Sequence, residues 1–277
     1  MSKTTTTVVR FNSIEELVRD NERWGKDATD GASSHQNSAS WAGTDTYEEA
    51  VALMQHGWPE GAARVGRVRS SLERAVESLV QARSQDIQFG YEGEWVDIGR
   101  LAEGDPECCG YWSDDGEDNQ KKVIKIVANI CVSGSISTDA MFARGAACVA
   151  AVDLLESLGH RVELWVGVGC NRYDEERLDS QVLVKDAGQP VDTDRLAYVL
   201  CHPAFFRRVY FAHMELNRMN PCGCLPCGVT ADNAIVLPEA LASNGLSHDD
   251  IVRQVVDICD RAGVTFDPAQ VMDAVKA

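Results

Sequence analysis

The densest grouping of reactive side chains is Pro221-Cys222-Gly223-Cys224-Leu225-Pro226-Cys227-Gly228, three thiols in C-x-C-x2-C spacing. Its glycines and prolines let a loop wrap back on itself. Structural zinc takes four ligands, soft or borderline, in a tetrahedron. Cys222, Cys224 and Cys227 supply three, and His202, Cys201, His213 and Cys170 are candidates for the fourth. The competing reading is a tight loop of reduced cysteines. A catalytic zinc is not indicated, because the chain lacks H-E-x-x-H and lacks H-x-E with P-C-x-x-C. Redox chemistry at Cys224-x-x-Cys227 would need a preceding strand and a following helix, which this loop lacks. The segment His202-Pro-Ala-Phe-Phe-Arg-Arg208, with His213 and Glu215, is a candidate acid–base group, and its arginines suit a phosphate or carboxylate. The plainer expectation is that Phe205, Phe206, Val209 and Tyr210 pack a helix while Arg207 and Arg208 face solvent or pair with acids.

A second grouping is the hydroxyl-rich turn Ser133-Gly134-Ser135, followed by Ser137 and Thr138. It ends the apolar run Val123 to Val132. A helix-period stretch from about Thr138 to Leu158 follows, closed by Gly159, and Arg161 to Val168 is again apolar. Such runs suit strands buried on both faces of a parallel sheet. The order strand–helix–strand is a right-handed βαβ unit, and ligands of open α/β sheets gather at the carboxyl ends of strands. The turn lacks G-x-S-x-G, G-x-G-x-x-G and the phosphate loop, so neither serine hydrolysis nor nucleotide binding through those devices is expected.

Positioning these groups requires an α/β fold with three layers, a mostly parallel sheet flanked by helices. Residues 1–85 read as a helical amino-terminal module. Thr7 to Phe11 is a tail or edge strand. Ser13-x-x-Glu16 and Thr46-x-x-Glu49 are capping boxes, residues 24–43 form a long loop pinned by Trp24 and Trp41, and Pro59 opens an amphipathic helix. Residues 86–121 read as a hairpin and an acidic loop, Asp114 to Asp118. Residues 122–277 form the α/β domain with its Cys-rich loop 221–228. Within it Gln181 to Lys185 is a third strand or half of a hairpin, Asp192 opens a helix, Ala204 to Met219 is a helix, Ala234 to Leu237 is a short strand, Ser247 caps a helix to Ala262, and Pro268 opens the last one.

The stretch Cys131-x-Ser133-Gly134-Ser135, at the end of a buried strand, resembles the D-x-S-x-S motif of von Willebrand factor A (VWA) domains over Val123 to Val168. That resemblance implies a divalent-ion site, usually magnesium, held by an Asp and two Ser. Ser133 and Ser135 match the serines. Cys131 stands at the Asp position and brings no fixed negative charge, which disfavours magnesium. Shifting the register puts Asn129 there instead, and Asp139 or Asp174 are the nearby carboxylates. The resemblance implies protein association at Ser133, Gly134, Ser135, Ser137 and Thr138, without a metal. The chain also has the general look of phage and mobile-element proteins.

The 277 residues carry 43 acidic and 26 basic side chains, a net −17. That balance argues against broad nucleic-acid binding and against anionic membranes. The densest basic group, Arg64, Arg67, Arg69 and Arg74, reads as a solvated helix face. No stretch is long and apolar enough to span a membrane, and MSKTTTTVVRF has no signal-peptide core. A cytoplasmic protein is expected (host cytoplasm if phage-encoded), with reduced cysteines. Cys131, Cys148, Cys170, Cys201 and Cys259 should then be small buried hydrophobes. The leading expectation is a non-enzymatic interaction or assembly protein. The alternatives are a zinc- or magnesium-dependent hydrolase or nucleic-acid-processing enzyme, and a self-assembling virion component.

Overall fold

Apolar periodicity and capping residues set most elements of the computed structural model, which describes residues 5–23, 33–82, 87–93, 95–112, 123–172, 176–221, 225–238 and 247–264. The chain opens with β1 (Thr5–Phe11) and α1 (Ile14–Arg23). The short turns α2 (Ser33–Gln36) and α3 (Ala39–Ala42) precede α4 (Tyr47–His56) and α5 (Pro59–Ala82). Both amino-terminal capping sequences work, with one shift. Ser13 and Thr46 accept the N3 amides at 3.2 and 3.1 Å. The carboxylates of Glu16 and Glu49 reach back to the amides of Asn12 and Asp45, one residue before the cap.

Next come β2 (Ile87–Gly90), β3 (Trp95–Val96), α6 (Ile98–Ala102) and β4 (Cys109–Trp112). The hairpin expected around Gly93 is instead a three-stranded sheet in the order β2-β4-β3. β4 inserts between the other two, so Cys109 belongs to a central strand rather than to a surface loop. The acidic run 114–118 lies outside the described residues.

The larger sheet is built from β5 (Val123–Asn129), β6 (Arg161–Arg172), β7 (Glu176–Lys185), β8 (Leu225–Cys227) and β9 (Ile235–Leu237) together with β1. Its order is β1-β7-β6-β5-β9, with β8 added on β6. β5 runs parallel to β6 and β9, and β1 parallel to β7. β6 and β7 form an antiparallel hairpin, the second of the two arrangements open for Gln181 to Lys185. The fold is therefore mixed α/β: a six-stranded, mostly parallel sheet with flanking helices. β7 begins five residues before its apolar pattern does, because Asp179 and Ser180 are buried polar members of the strand.

The flanking helices are α7 (Thr138–Ser157), α8 (Thr193–Cys201), a π-helix (Phe205–Tyr210), α9 (Phe211–Leu216) and α10 (His248–Arg261). Ser137, Asp192 and Ser247 cap α7, α8 and α10. The terminal helix expected at Pro268 lies outside the described residues. One sheet face carries Ile124, Ile126, Val162, Leu164, Val166, Leu178 and Val182, all buried. Phe11, Ile14, Leu17, Ala50 and Val65 from the first 85 residues join the same core. Arg64 lies 3.8 Å over the Phe142 ring and Arg69 pairs with Asp153 at 2.8 Å, so this basic face also packs on α7.

α7 and α8 approach closely because Gly145 has no side chain. A Cβ there would meet the Leu200 carbonyl oxygen at 2.3 Å, a backbone atom that cannot swing away. Gly145→Val is expected to cost about 3 kcal/mol by overpacking, read as a fall in the urea midpoint. An unchanged midpoint would show that the two helices separate freely.

Candidate functional site

β5 stands between β6, which the chain reaches through α7, and β9, which it reaches later from β8. Ligands of open α/β sheets gather at the carboxyl ends of strands, here the carboxyl end of β5. Ser133 to Thr138 occupies that end. Ser133, Gly134, Ser135, Ser137 and Thr138 are exposed, while Ile136 is buried beneath them. The Ile136 amide donates to the Ser133 carbonyl at 3.0 Å, closing the turn. The Ser133 and Ser135 hydroxyl oxygens lie 3.1 Å apart. Ser137 accepts the Ala140 amide at 3.2 Å as the cap of α7.

The turn is held from below and from the side. Trp41 donates its indole N–H to the Gly134 carbonyl at 3.2 Å. Arg207 donates to the Ile136 carbonyl at 2.8 Å and to the Trp41 carbonyl at 2.6 Å, and its guanidinium carbon lies 4.2 Å over the Trp41 ring. Arg208 donates to the carbonyls of Ser34, Asn37, Thr44 and Asp45 at 2.7 to 3.2 Å. Both arginines are fully buried, at 1% and 0% exposure, which overturns the expectation that they face solvent, while the charges of Asp45 and Glu49 act on Arg208. The wider turn of the π-helix lets two adjacent residues both reach inward. Burial lowers the Arg207 pKa to about 10, which leaves it charged at neutral pH. The long loop of the sequence reading is thus pinned by Trp41, but through two arginines that periodicity had placed outside. Trp24 lies outside the described residues.

Below the turn, Asn129 ends β5 with a fully buried side chain. Its Oδ1 accepts the Cys131 amide and its Nδ2 donates to the Cys227 carbonyl, each at 3.0 Å. β5 leaves β6 after Asn129, and β8 takes its place there, Cys227 opposite Gly169. Gly167 and Gly169 allow the following residues to cross β6. A Cβ on Gly169 would meet the Cys227 oxygen at 2.4 Å, and one on Gly167 would meet Val229 at 2.8 Å. On the far side Asp179 accepts the Thr230 amide at 2.7 Å, and Gln181 donates to the Thr230 carbonyl at 2.7 Å.

These contacts decide what the site can do. Each serine hydroxyl of the turn touches the other, and among the described residues no base, which a serine nucleophile needs, contacts either. Asp139 is exposed in the first turn of α7. Asp174 lies outside the described residues. Cys131, at the position of the motif's Asp, is 3% exposed. What the turn presents is a row of hydroxyls and backbone groups on a rigid base, suited to hydrogen bonding.

The candidate zinc ligands separate into two places. Cys227 is on β8 beside Asn129, whereas His202 stacks edge-on against Trp58 with centroids 4.6 Å apart and accepts the Ala204 amide on Nδ1 at 3.2 Å. Cys222 and Cys224 lie outside the described residues. Among the described residues no cluster of three His, Cys, Asp or Glu side chains is placed to hold a metal. Cys131, Cys148, Cys170, Cys201 and Cys259 are buried and form no disulfide, and burial raises the Cys148 and Cys259 thiols to about 11 and 12.

One constellation escaped the sequence reading. The Ser34 hydroxyl lies 3.0 Å from His35 Nδ1 and 2.5 Å from Glu215 Oε2. It superficially matches a hydrolytic triad, but serine sits between the other two and is 0% exposed. Its proton goes to the carboxylate, so it ties α2 to α9 rather than attacking a substrate. His213 is likewise structural, its ring against Phe11 and Tyr210.

A family model described as a domain of unknown function, DUF7192, matches residues 2–259, and the chain belongs to that family. No curated protein and no solved structure matches it.

Proposed function

We propose that this protein is a non-enzymatic interaction protein whose VWA-like domain engages a protein partner through Ser133, Gly134, Ser135, Ser137 and Thr138. The observation that carries this reading is a surface turn fixed from within. Its exposed groups stand at the carboxyl end of β5, and Arg207 and Trp41 hold its backbone. A preorganised turn loses little freedom on binding. Among the described residues no base contacts the paired hydroxyls, which favours recognition over catalysis. Native mass measurement of the tagged protein should show a defined complex. Ser135→Arg, at an exposed site, should dissociate it without changing the melting temperature. A lone monomer, or a complex indifferent to the substitution, would count against the reading.

A structural zinc at Cys222, Cys224 and Cys227 is a second reading. It is favoured by β8, where the Cys227 carbonyl accepts from Asn129, whose Oδ1 holds the Cys131 amide. Cys131 then joins His202 as a candidate fourth ligand, and His202 is engaged among Trp58 and Tyr198. Elemental analysis should then find one zinc per chain, lost in Cys227→Ser and Cys131→Ser and kept in His202→Asn. Metal-free protein would end this reading.

A further inference from the structure

Four of the large apolar side chains most open to solvent fall within eleven residues of one another. They are Tyr91, Val96, Ile98 and Leu101, at 73, 49, 78 and 56% exposure. The register of the small sheet explains why they share one end of it. Gly90 and Val96 both pair with Cys109, from opposite sides. Tyr91 follows Gly90, and α6 begins two residues after Val96. Ile98 and Leu101 are then one helical turn apart on a single face of α6. Among the described residues the sheet's strands pair only with one another, and they are four, four and two residues long. So small a sheet buries little of its own apolar surface.

We propose that this end of the small sheet, with α6, is a docking surface for a basic amphipathic helix of a protein partner, separate from the serine turn. Charge selects the occupant. Residues 87–112 carry Glu92, Glu94, Asp97, Glu103, Asp105 and Glu107 against one cation, Arg100. Arg100 is already engaged, lying 3.8 Å over the Phe89 ring and 3.3 Å from Asp105. Glu92, Glu103 and Glu107 are exposed around the apolar residues. An apolar centre with an acidic rim repels a second copy of this chain, which carries −17 overall, and attracts a partner with an apolar stripe between lysines or arginines. Strand addition is a poorer alternative, because the two edges, β3 and β2, offer only two and four residues. Side chains on a helix face match Ile98 and Leu101 better.

The test uses the full chain and two synthetic peptides of leucine and lysine with identical composition. One has its leucines on a single helix face; the other is scrambled so that they share none. Binding is read by fluorescence anisotropy at about 0.15 M salt, where long-range attraction is screened. The amphipathic peptide should bind at least about tenfold tighter than the scrambled one. The double variant Ile98→Ser, Leu101→Ser should erase that preference while leaving the melting temperature unchanged, since both side chains are exposed. Equal binding of the two peptides would overturn the proposal, as would a preference that survives the double variant. A dimer of this chain that the same substitutions dissociate would overturn it in favour of self-association.

Discussion

Arg208→Met is expected to lower stability by about 4 kcal/mol. The guanidinium serves four carbonyls, those of Ser34, Asn37, Thr44 and Asp45, from a position with no exposure. Methionine fills part of the volume but donates nothing. Each buried carbonyl left without a donor costs roughly 1–3 kcal/mol, less where water can reach it. Arg208→Lys should recover little, because a single ammonium cannot replace a planar fork aimed at carbonyls in several directions. Urea unfolding measures both variants. Amide exchange over residues 33–45 should rise more than over β5 and β6, since that segment loses its anchor first. A loss below about 1 kcal/mol would mean that other contacts hold the segment.

Stability should also fall as the solution is acidified from pH 6.5 to 4. His213 has no exposure, and burial depresses its pKa to about 4. Its Nδ1 has no hydrogen-bond partner among the described residues, so the folded protein holds the ring neutral. The unfolded chain takes up a proton near pH 6.5, and the folded one does so only near pH 4. The stabilising contribution is therefore complete above the unfolded value and disappears as pH drops through the folded one. The shift corresponds to about 3 kcal/mol. His202, lowered to about 4 by burial, acts in the same direction from a half-buried site. Other groups face His213: Tyr210 and Phe11 pack on its ring, and Asn217 lies 3.4 Å from Nε2. None of them carries a charge in this range. Glu215, two residues on, has its pKa raised by burial, so the folded protein takes up that proton before the unfolded chain does and this group acts against the His213 effect. His213→Phe should flatten the melting-temperature profile between pH 6.5 and 4.5. A profile as steep as that of the parent protein would assign the acid sensitivity elsewhere.

The central βαβ unit was legible because its signals agree. The continuous apolar runs, the Ser137 cap and Gly159 (φ 87°) all mark the same boundaries. β7 was half hidden, since Asp179 and Ser180 look like loop residues until the Thr230 amide and the strand pairing account for them. The order of the small sheet was not readable at all. Short strands with few apolar residues leave the pairing of β4 between β2 and β3 to tertiary contacts. The most consequential misreading concerned Arg207 and Arg208. A signal was present in the sequence. From Ala204 to Met214 there is no acidic residue, and nearly every other side chain is apolar, so two arginines there had no local partner. Periodicity could not find their targets, because the carbonyls they bind lie about 70 to 170 residues away. The serine turn itself was visible, but not the fact that Trp41 grips it.

Photo-crosslinking addresses the role of that turn most directly. A benzophenone amino acid is placed at Ser135 in the full chain, and a control at Gln189, an exposed position beyond the carboxyl end of β7 at the opposite rim of the sheet. Irradiation in the cells that produce the protein should yield one adduct of defined mass from position 135 and none from position 189. The same adduct from both positions, or none from either, would contradict a docking role for Ser133 to Thr138.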